Sequence, residues 1–266
     1  MKVLRTIGEV RAELPRRGVG LVPTMGALHR GHLALLDAAR DENDFVVASI
    51  FVNPAQFQAG EDFERYPRNE RADAEVAEAA GVDCLFVPSV ETMYPEGFQT
   101  WIEVEEVSSG LEGAARPGHF RGVATVCLKL FNIVRPERAY FGQKDAQQAA
   151  VLERLVDDLN LEVEIRIIPT VRDVDGLATS SRNAYLTAAE RDAALALPRA
   201  LLAGGEAHRR GEDAVAAARQ VLAAEPHLEA DYLELASLDG RVHLLAAARA
   251  GRTRLIDNVV LEGELP

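Results

Sequence analysis

Hydrophobic positions in the first two thirds of the chain gather into short, nearly unbroken runs separated by segments of helical period. The runs Gly18–Pro23, Phe45–Val52, Val82–Val87, Ala139–Gly142 and Glu162–Ile168 read as strands. Their continuity, rather than apolar–polar alternation, predicts parallel strands covered on both faces. Between them, His32–Arg40, Arg71–Ala80, Gly122–Val134 and Ala146–Leu159 repeat apolar residues at helical spacing. Strand, helix and strand in repeated order require right-handed crossovers. The expectation is an α/β fold with a Rossmann-like, doubly wound parallel sheet. Phe98–Val104 adds a candidate edge strand.

The pattern changes after Arg182. Thr187–Leu202 and Glu212–Ala224 are Ala-rich and helical, with Thr187 and Glu190 spaced as a capping box. Ala230–Leu235, Arg241–Leu244 and Arg252–Asp257 then read as short strands, with Asp239-Gly240 as a hairpin turn. Helices followed by strands predict a smaller C-terminal α+β domain. The boundary is placed at Asp175–Gly176, giving domains 1–175 and 176–266.

Composition narrows the partners. Lys and Arg number 29 against 42 Asp and Glu, a net charge of −13, which argues against nucleic acid or an anionic membrane as partner. Any polyphosphate ligand must therefore find its positive charge in a pocket. Cys84 and Cys127 sit in apolar stretches without metal-ligand spacing and read as buried, reduced thiols. The opening residues, with Lys2, Arg5, Glu9, Arg11 and Glu13, do not resemble a signal peptide, and no apolar run is long enough to span a bilayer. The cytoplasm is the expected compartment.

Candidate chemistry follows the first strand, in Pro23-Thr24-Met25-Gly26-Ala27-Leu28-His29-Arg30-Gly31-His32. Ligands of doubly wound sheets bind at the carboxyl ends of strands. His29 and His32, three residues apart at a helix start, project from one face, and the free N–H groups there favour an anion. Alone, HxGH is also compatible with two surface histidines. A second cluster, Phe141-Gly142-Gln143-Lys144-Asp145, again ends a strand. Lys144 can place a charge on a phosphate, although the spacing is not that of a P-loop and a solvated lysine would look the same. A third, Thr179-Ser180-Ser181-Arg182-Asn183, offers hydroxyls and a guanidinium to a triphosphate, or merely a Ser-type turn.

HxGH after the first strand and a basic, Ser-rich loop after the last resemble the nucleotidyltransferases related to class I aminoacyl-tRNA synthetases. More specifically, the chain resembles the pantothenate synthetases. The segments that carry this are Pro23–Leu33, Phe51-Val52-Asn53-Pro54-Ala55-Gln56-Phe57, Tyr66-Pro67-Arg68, Arg116-Pro117-Gly118-His119-Phe120-Arg121-Gly122-Val123, Phe141–Gln148 and Asp175–Leu186. The resemblance implies ATP, pantoate and β-alanine as substrates, a pantoyl adenylate intermediate, Mg2+ accompanying ATP, and a homodimer. It implies nucleotide contacts from Met25, Gly26, Ala27, Leu28, His29, Arg30, Gly31 and His32, from Gly142, Gln143, Lys144 and Asp145, and from Val171, Thr179, Ser180, Ser181 and Arg182. His29, His32, Lys144 and Arg182 would serve catalysis, His32 as hydrogen-bond or charge donor to the phosphates. Gln56 and Gln148 would hold pantoate, and the smaller domain would close over the site. No protein metal ligand is expected; Asp73 reads as a helix-surface carboxylate with only a weak claim on the metal. Gln58–Arg65 reads as a lid. Two rival readings are an HxGH adenylyltransferase that leaves the nucleotide on its product and a catalytically silent nucleotide-binding protein.

Overall fold

The computed structural model describes residues 1–261. The chain falls into two compact units: Met1–Gly142 with Gln148–Ile168, and Gln143–Gln147 with the chain from Pro169 onward. The turn that follows Ile168 explains why the second unit begins before Asp175. Arg172 and Ala178 form an antiparallel bridge there, and Asp173 N–H donates to Leu177 O at 2.8 Å.

In the first unit the order is β1 (Lys2–Leu4), α1 (Ile7–Glu13), β2 (Val19–Thr24), α2 (Arg30–Glu42), β3 (Phe45–Ile50), α3 (Glu70–Ala79) and β4 (Cys84–Phe86). There follow α4 (Val90–Met93), α5 (Leu111–Ala115), α6 (His119–Val134), β5 (Arg138–Gly142), α7 (Ala146–Asp158) and β6 (Glu164–Ile168). The six strands are parallel in the order β1-β4-β3-β2-β5-β6. The sheet is the expected doubly wound one, and its order reverses between β2 and β5.

Burial explains the continuous apolar runs. In β2, Leu21 packs into one core with Val10 of α1 and the apolar faces of α6 and α7. Its neighbour Val22 packs into another with Leu35, Leu36 and Ala39 of α2 and Ala77 of α3. Val46 and Val47, Leu85 and Phe86, and Tyr140 and Phe141 divide between the two cores in the same way. Cys84 and Cys127 are free and buried, and burial pushes their thiols up to about 11 and about 12.

The edge-strand expectation at Phe98–Val104 is corrected: the segment forms no strand. Ile102 N–H donates to the Thr125 hydroxyl at 3.1 Å, and Phe98 and Trp101 pack their rings with Tyr94. The apolar residues pack against α6 and each other instead of pairing with a strand.

The second unit carries α8 (Ala188–Ala194), α9 (Ala196–Arg209), α10 (Ala214–Ala223) and β7 (Leu228–Leu238), β8 (Arg241–Ala250) and β9 (Thr253–Leu261). Its antiparallel sheet runs β7-β8-β9. The Thr187–Glu190 capping box is present, and Asp239 and Gly240 both take positive φ, 51° and 76°, as a two-residue hairpin turn demands. The single helix expected over Thr187–Leu202 is two. Pro198 lacks an N–H and its ring crowds the preceding turn, so the chain breaks at Leu195 and restarts with proline in the first turn. Among the described residues, no helix is long and apolar enough to cross a membrane.

Candidate active site

The loop after β2 is held from below. Thr24 donates its buried hydroxyl to Ser49 O at 2.7 Å and accepts Gly26 N–H at 3.1 Å. The chain then turns through positive φ at Gly26 and Ala27, 82° and 51°. A Cβ at Gly26 would stand 2.9 Å from an Asp73 oxygen, so only glycine fits. Asp73 is 4% exposed, and its two oxygens accept Ala27 N–H at 2.9 Å and Leu28 N–H at 2.7 Å. It is not the surface carboxylate expected from the sequence; it pins the HxGH loop. Sequence reading missed this because the two partners lie far apart in the chain.

His29 is the N-cap of α2. Its Nδ1 accepts Gly31 N–H at 3.2 Å, while His32 Nδ1 accepts His29 N–H at 3.3 Å. The two rings stack with centroids 4.0 Å apart. Two imidazoles thus play the part usually taken by Ser or Thr and Glu in a capping box. With Nδ1 accepting, a neutral ring carries its proton on Nε2, so both histidines are donors at that edge. Met25, Leu28, His29, Gly31 and His32 are half-buried around this turn and Arg30 is exposed.

Asn53 and Gln56 lie on a short 3-10 turn, Pro54–Gln56, and its cap after β3, and both are buried. Asn53 is saturated. Its Oδ1 accepts Ala55 N–H at 3.2 Å and the Tyr94 hydroxyl at 2.9 Å. Its Nδ2 donates to Gly122 O at 3.1 Å and to Gln56 Oε1 at 3.0 Å. The Gln56 amide is therefore oriented, its Nε2 donating to Met25 Sδ at 3.2 Å. The first turn of α6 supplies the floor: a Cβ on Gly122 would stand 2.3 Å from Ala55 O. His119, at the start of α6, donates from Nδ1 to Gln56 O at 2.8 Å, with its Nε2 3.1 Å from Arg116 Nη1. Burial, and then the Arg116 charge, push His119 down to about 4. The imidazole is neutral. The Arg116–Val123 segment, to which sequence alone assigns no role, is the scaffold of the Gln56 turn. Gln148 is half-buried in the first turn of α7.

In the second unit, Gln143–Asp145 form one 3-10 turn. Buried Asn258 holds it, donating to Gln143 O at 2.8 Å and Lys144 O at 3.0 Å. Lys144 Nζ is 3.7 Å from the Asp145 carboxylate. Arg172 grips buried Asp257 through two bonds, 2.6 and 3.1 Å. Thr179 is committed internally: its hydroxyl donates to Asp173 at 2.7 Å and its N–H to Val171 O at 2.9 Å. Ser180 Oγ accepts Arg182 N–H at 3.3 Å and caps the 3-10 turn Ser181–Tyr185, so the Ser-type turn is real. Burial pushes Asp173 up, but hydrogen bonds from Arg191, Thr179 and Asn183 outweigh it and hold the carboxyl below the usual range. Sequence reading found the turn and overlooked the buried Asp257–Asn258 pair that supports its neighbour.

Among the described residues, no cluster of three or more His, Cys, Asp or Glu side chains is arranged to hold a metal ion.

Known proteins are similar to this one over nearly the whole chain. The family model for pantoate-beta-alanine ligase matches residues 2–260. A pantothenate synthetase of Moorella thermoacetica is 53% identical over 98% of this chain and 99% of its own length. The crystal structure of pantothenate synthetase from Thermus thermophilus superposes with a TM-score of 0.95 at 50% identity, covering 97% of this chain and 99% of that one. That of the Francisella tularensis pantoate-beta-alanine ligase, complexed with beta-gamma ATP and beta-alanine, gives 0.84 at 35% identity over 99% of both chains. With a matched model spanning nearly its whole described length and relatives at half identity, this chain belongs to the pantoate–β-alanine ligase family, the pantothenate synthetases.

Proposed function

We propose that this enzyme condenses pantoate with β-alanine, using ATP. A pantoate carboxylate oxygen attacks the α-phosphorus, forming pantoyl adenylate and releasing pyrophosphate. The amine of β-alanine then attacks the acyl carbon, forming the amide of pantothenate and releasing AMP. Beyond family membership, one observation supports the reading best. The Gln56 amide is immobilised with its oxygen taken by Asn53 and its nitrogen toward a thioether. A thioether is a weak acceptor, so Nε2 keeps its donor capacity for a carboxylate or hydroxyl oxygen of pantoate. A neutral amide positions such a carboxylate without blunting its attack, as an arginine clamp would.

The remaining roles belong to the same proposal. His29 and His32 donate from Nε2 to phosphate oxygens, and Lys144 and Arg182 supply charge where negative charge develops. Gln148 is the second pantoate amide. Met25–His32, Gly142–Asp145, Val171 and Thr179–Arg182 contact the nucleotide. Mg2+ enters as the ATP complex, held by phosphates and water; the engaged oxygens of Asp73 fit that arrangement. A cytoplasmic homodimer is the working form.

The test is AMP release from ATP, which should require both pantoate and β-alanine. Calorimetry of Gln56→Ala should then show ATP binding nearly unchanged and pantoate binding weakened by about 0.5–1.5 kcal/mol. Equal weakening of both ligands, or of neither, removes Gln56 from the pantoate site. AMP left attached to the product would instead establish an adenylyltransferase.

A further inference from the structure

The segment Gln58–Arg65 is fastened to the Gln56 main chain through Arg116. The Arg116 Nε and Nη2 atoms donate to the two carboxylate oxygens of Glu61 at 2.8 and 2.7 Å, a two-point contact that lysine could not reproduce. The same Nη2 donates to Gln56 O at 3.3 Å. His119 closes the circuit, bonded to Arg116 through Nε2 and to that same carbonyl through Nδ1. Side-chain exposures are 14% for Arg116 and 22% for Glu61, so the pair is well removed from the loose surface pairs that contribute almost nothing. Burial pushes Glu61 up, but hydrogen bonding to Arg116 and its charge hold the carboxyl below the usual range. Gln58 adds a second tie, donating to Pro117 O at 2.9 Å.

Asn53 fixes which way the Gln56 amide faces; the Arg116 circuit fixes where its main chain lies. We propose that Glu61, Arg116 and His119 are positioning residues that hold the Gln56 main chain in place, so that the segment Gln58–Arg65 and the pantoate-binding amide become ordered together. The proposal rests on the pantoate role of Gln56. Arg116 bonds Glu61 and the Gln56 carbonyl with one planar group, so releasing either partner loosens the other. By linkage, pantoate held by Gln56 tightens the segment, and an ordered segment tightens pantoate by the same factor.

Glu61→Gln keeps the shape and removes the charge. In the ligand-free protein, hydrogen exchange should speed up together at Gln56 and Phe57 and at Glu61 and Arg65, whose amides are bonded within their turns. Amides of α2 and α7 should keep wild-type rates. In turnover, KM for pantoate should rise roughly threefold to tenfold, with ATP affinity unchanged. In a Gln56→Ala background Glu61→Gln should have no further effect on that KM, because the group being positioned is gone. Arg116→Lys, which abolishes the two-point contact, should reproduce the paired exchange change. Faster exchange confined to residues 58–65, or additive effects of Glu61→Gln and Gln56→Ala on KM, would overturn the proposal. Absence of pantoate binding by the wild type would sink the Gln56 reading, whereas the exchange experiment decides the coupling by itself.

Discussion

Gly122→Ala is the smallest change that should disable the pantoate side. The added Cβ would lie 2.3 Å from Ala55 O, 2.5 Å from Ala55 C and 2.7 Å from Gln56 N. All three are main-chain atoms, so no side-chain rotation relieves the clash. Restoring a separation of roughly 3.5 Å requires α6 or the Asn53–Gln56 turn to move by about 1 Å. Overpacking of this kind costs about 1–3 kcal/mol, and the better helix propensity of alanine offsets up to about 1 kcal/mol of that. The Gly122 carbonyl also accepts from Asn53, and displacing it costs a further ~1 kcal/mol. A net loss of roughly 1–3 kcal/mol lowers the melting temperature by several degrees and leaves the chain folded. The functional loss should be larger, since a 1 Å misplacement of a positioning group costs about 100-fold in rate. Single-turnover formation of pantoyl adenylate, beside thermal melting, measures both. A Gly122→Ala protein with wild-type rate and melting temperature would show that helix and turn are not in the contact described.

Three further outcomes are expected. His32→Ala should slow adenylate formation by orders of magnitude in single-turnover assays while the far-ultraviolet circular dichroism stays that of the folded protein; an unchanged rate would end its assignment. Asp73→Asn leaves one acceptor for two amide donors, Ala27 and Leu28, and should cost about 1.5–3 kcal/mol in urea unfolding; an unaltered midpoint would contradict the pinning role. His119 is pushed down to about 4 from an ordinary 6.5, so the unfolded chain binds the proton more readily and stability rises with pH across that window. Its contribution is full above pH 6.5, lost as pH falls toward 4, and totals roughly 3 kcal/mol; replacing His119 by Gln should remove this part of the acid dependence, and an identical pH profile would refute it.

The sheet was legible where burial was two-sided. The runs that became β2, β3 and β5 are apolar at consecutive positions because successive residues enter different cores. β1 escaped notice because three partly exposed residues at an edge carry too little pattern. β8 runs on to Ala250, well past the expected Leu244. Alanine is a poor strand former in isolation, yet Ala246, Ala247, Ala248 and Ala250 are fully buried, and tertiary packing overrides the preference. At the site, HxGH stood out because local spacing places it at a strand end, whereas the Gln56 turn was picked out only by the family resemblance. Asp73, Tyr94 and Gly122 did not, because each acts on a turn distant in sequence, and spacing holds no record of such a contact.

Under the proposed roles of His29 and His32, the imidazole cap of α2 ties catalysis to folding at the level of individual atoms. Each ring commits Nδ1 to the main chain, so the helix start and the outward Nε2 edge are set by one pair of side chains. Asparagine at position 29 would be among the best N-caps available, and His29→Asn should leave the helix start as stable or more so while removing the Nε2 donor proposed to serve the phosphates. A screen for thermal stability alone would therefore drift away from histidine here. In an engineering campaign this residue would score as an improvable cap, and accepting the improvement would trade reactivity for a sturdier helix end, the usual direction of conflict between the two at an active site.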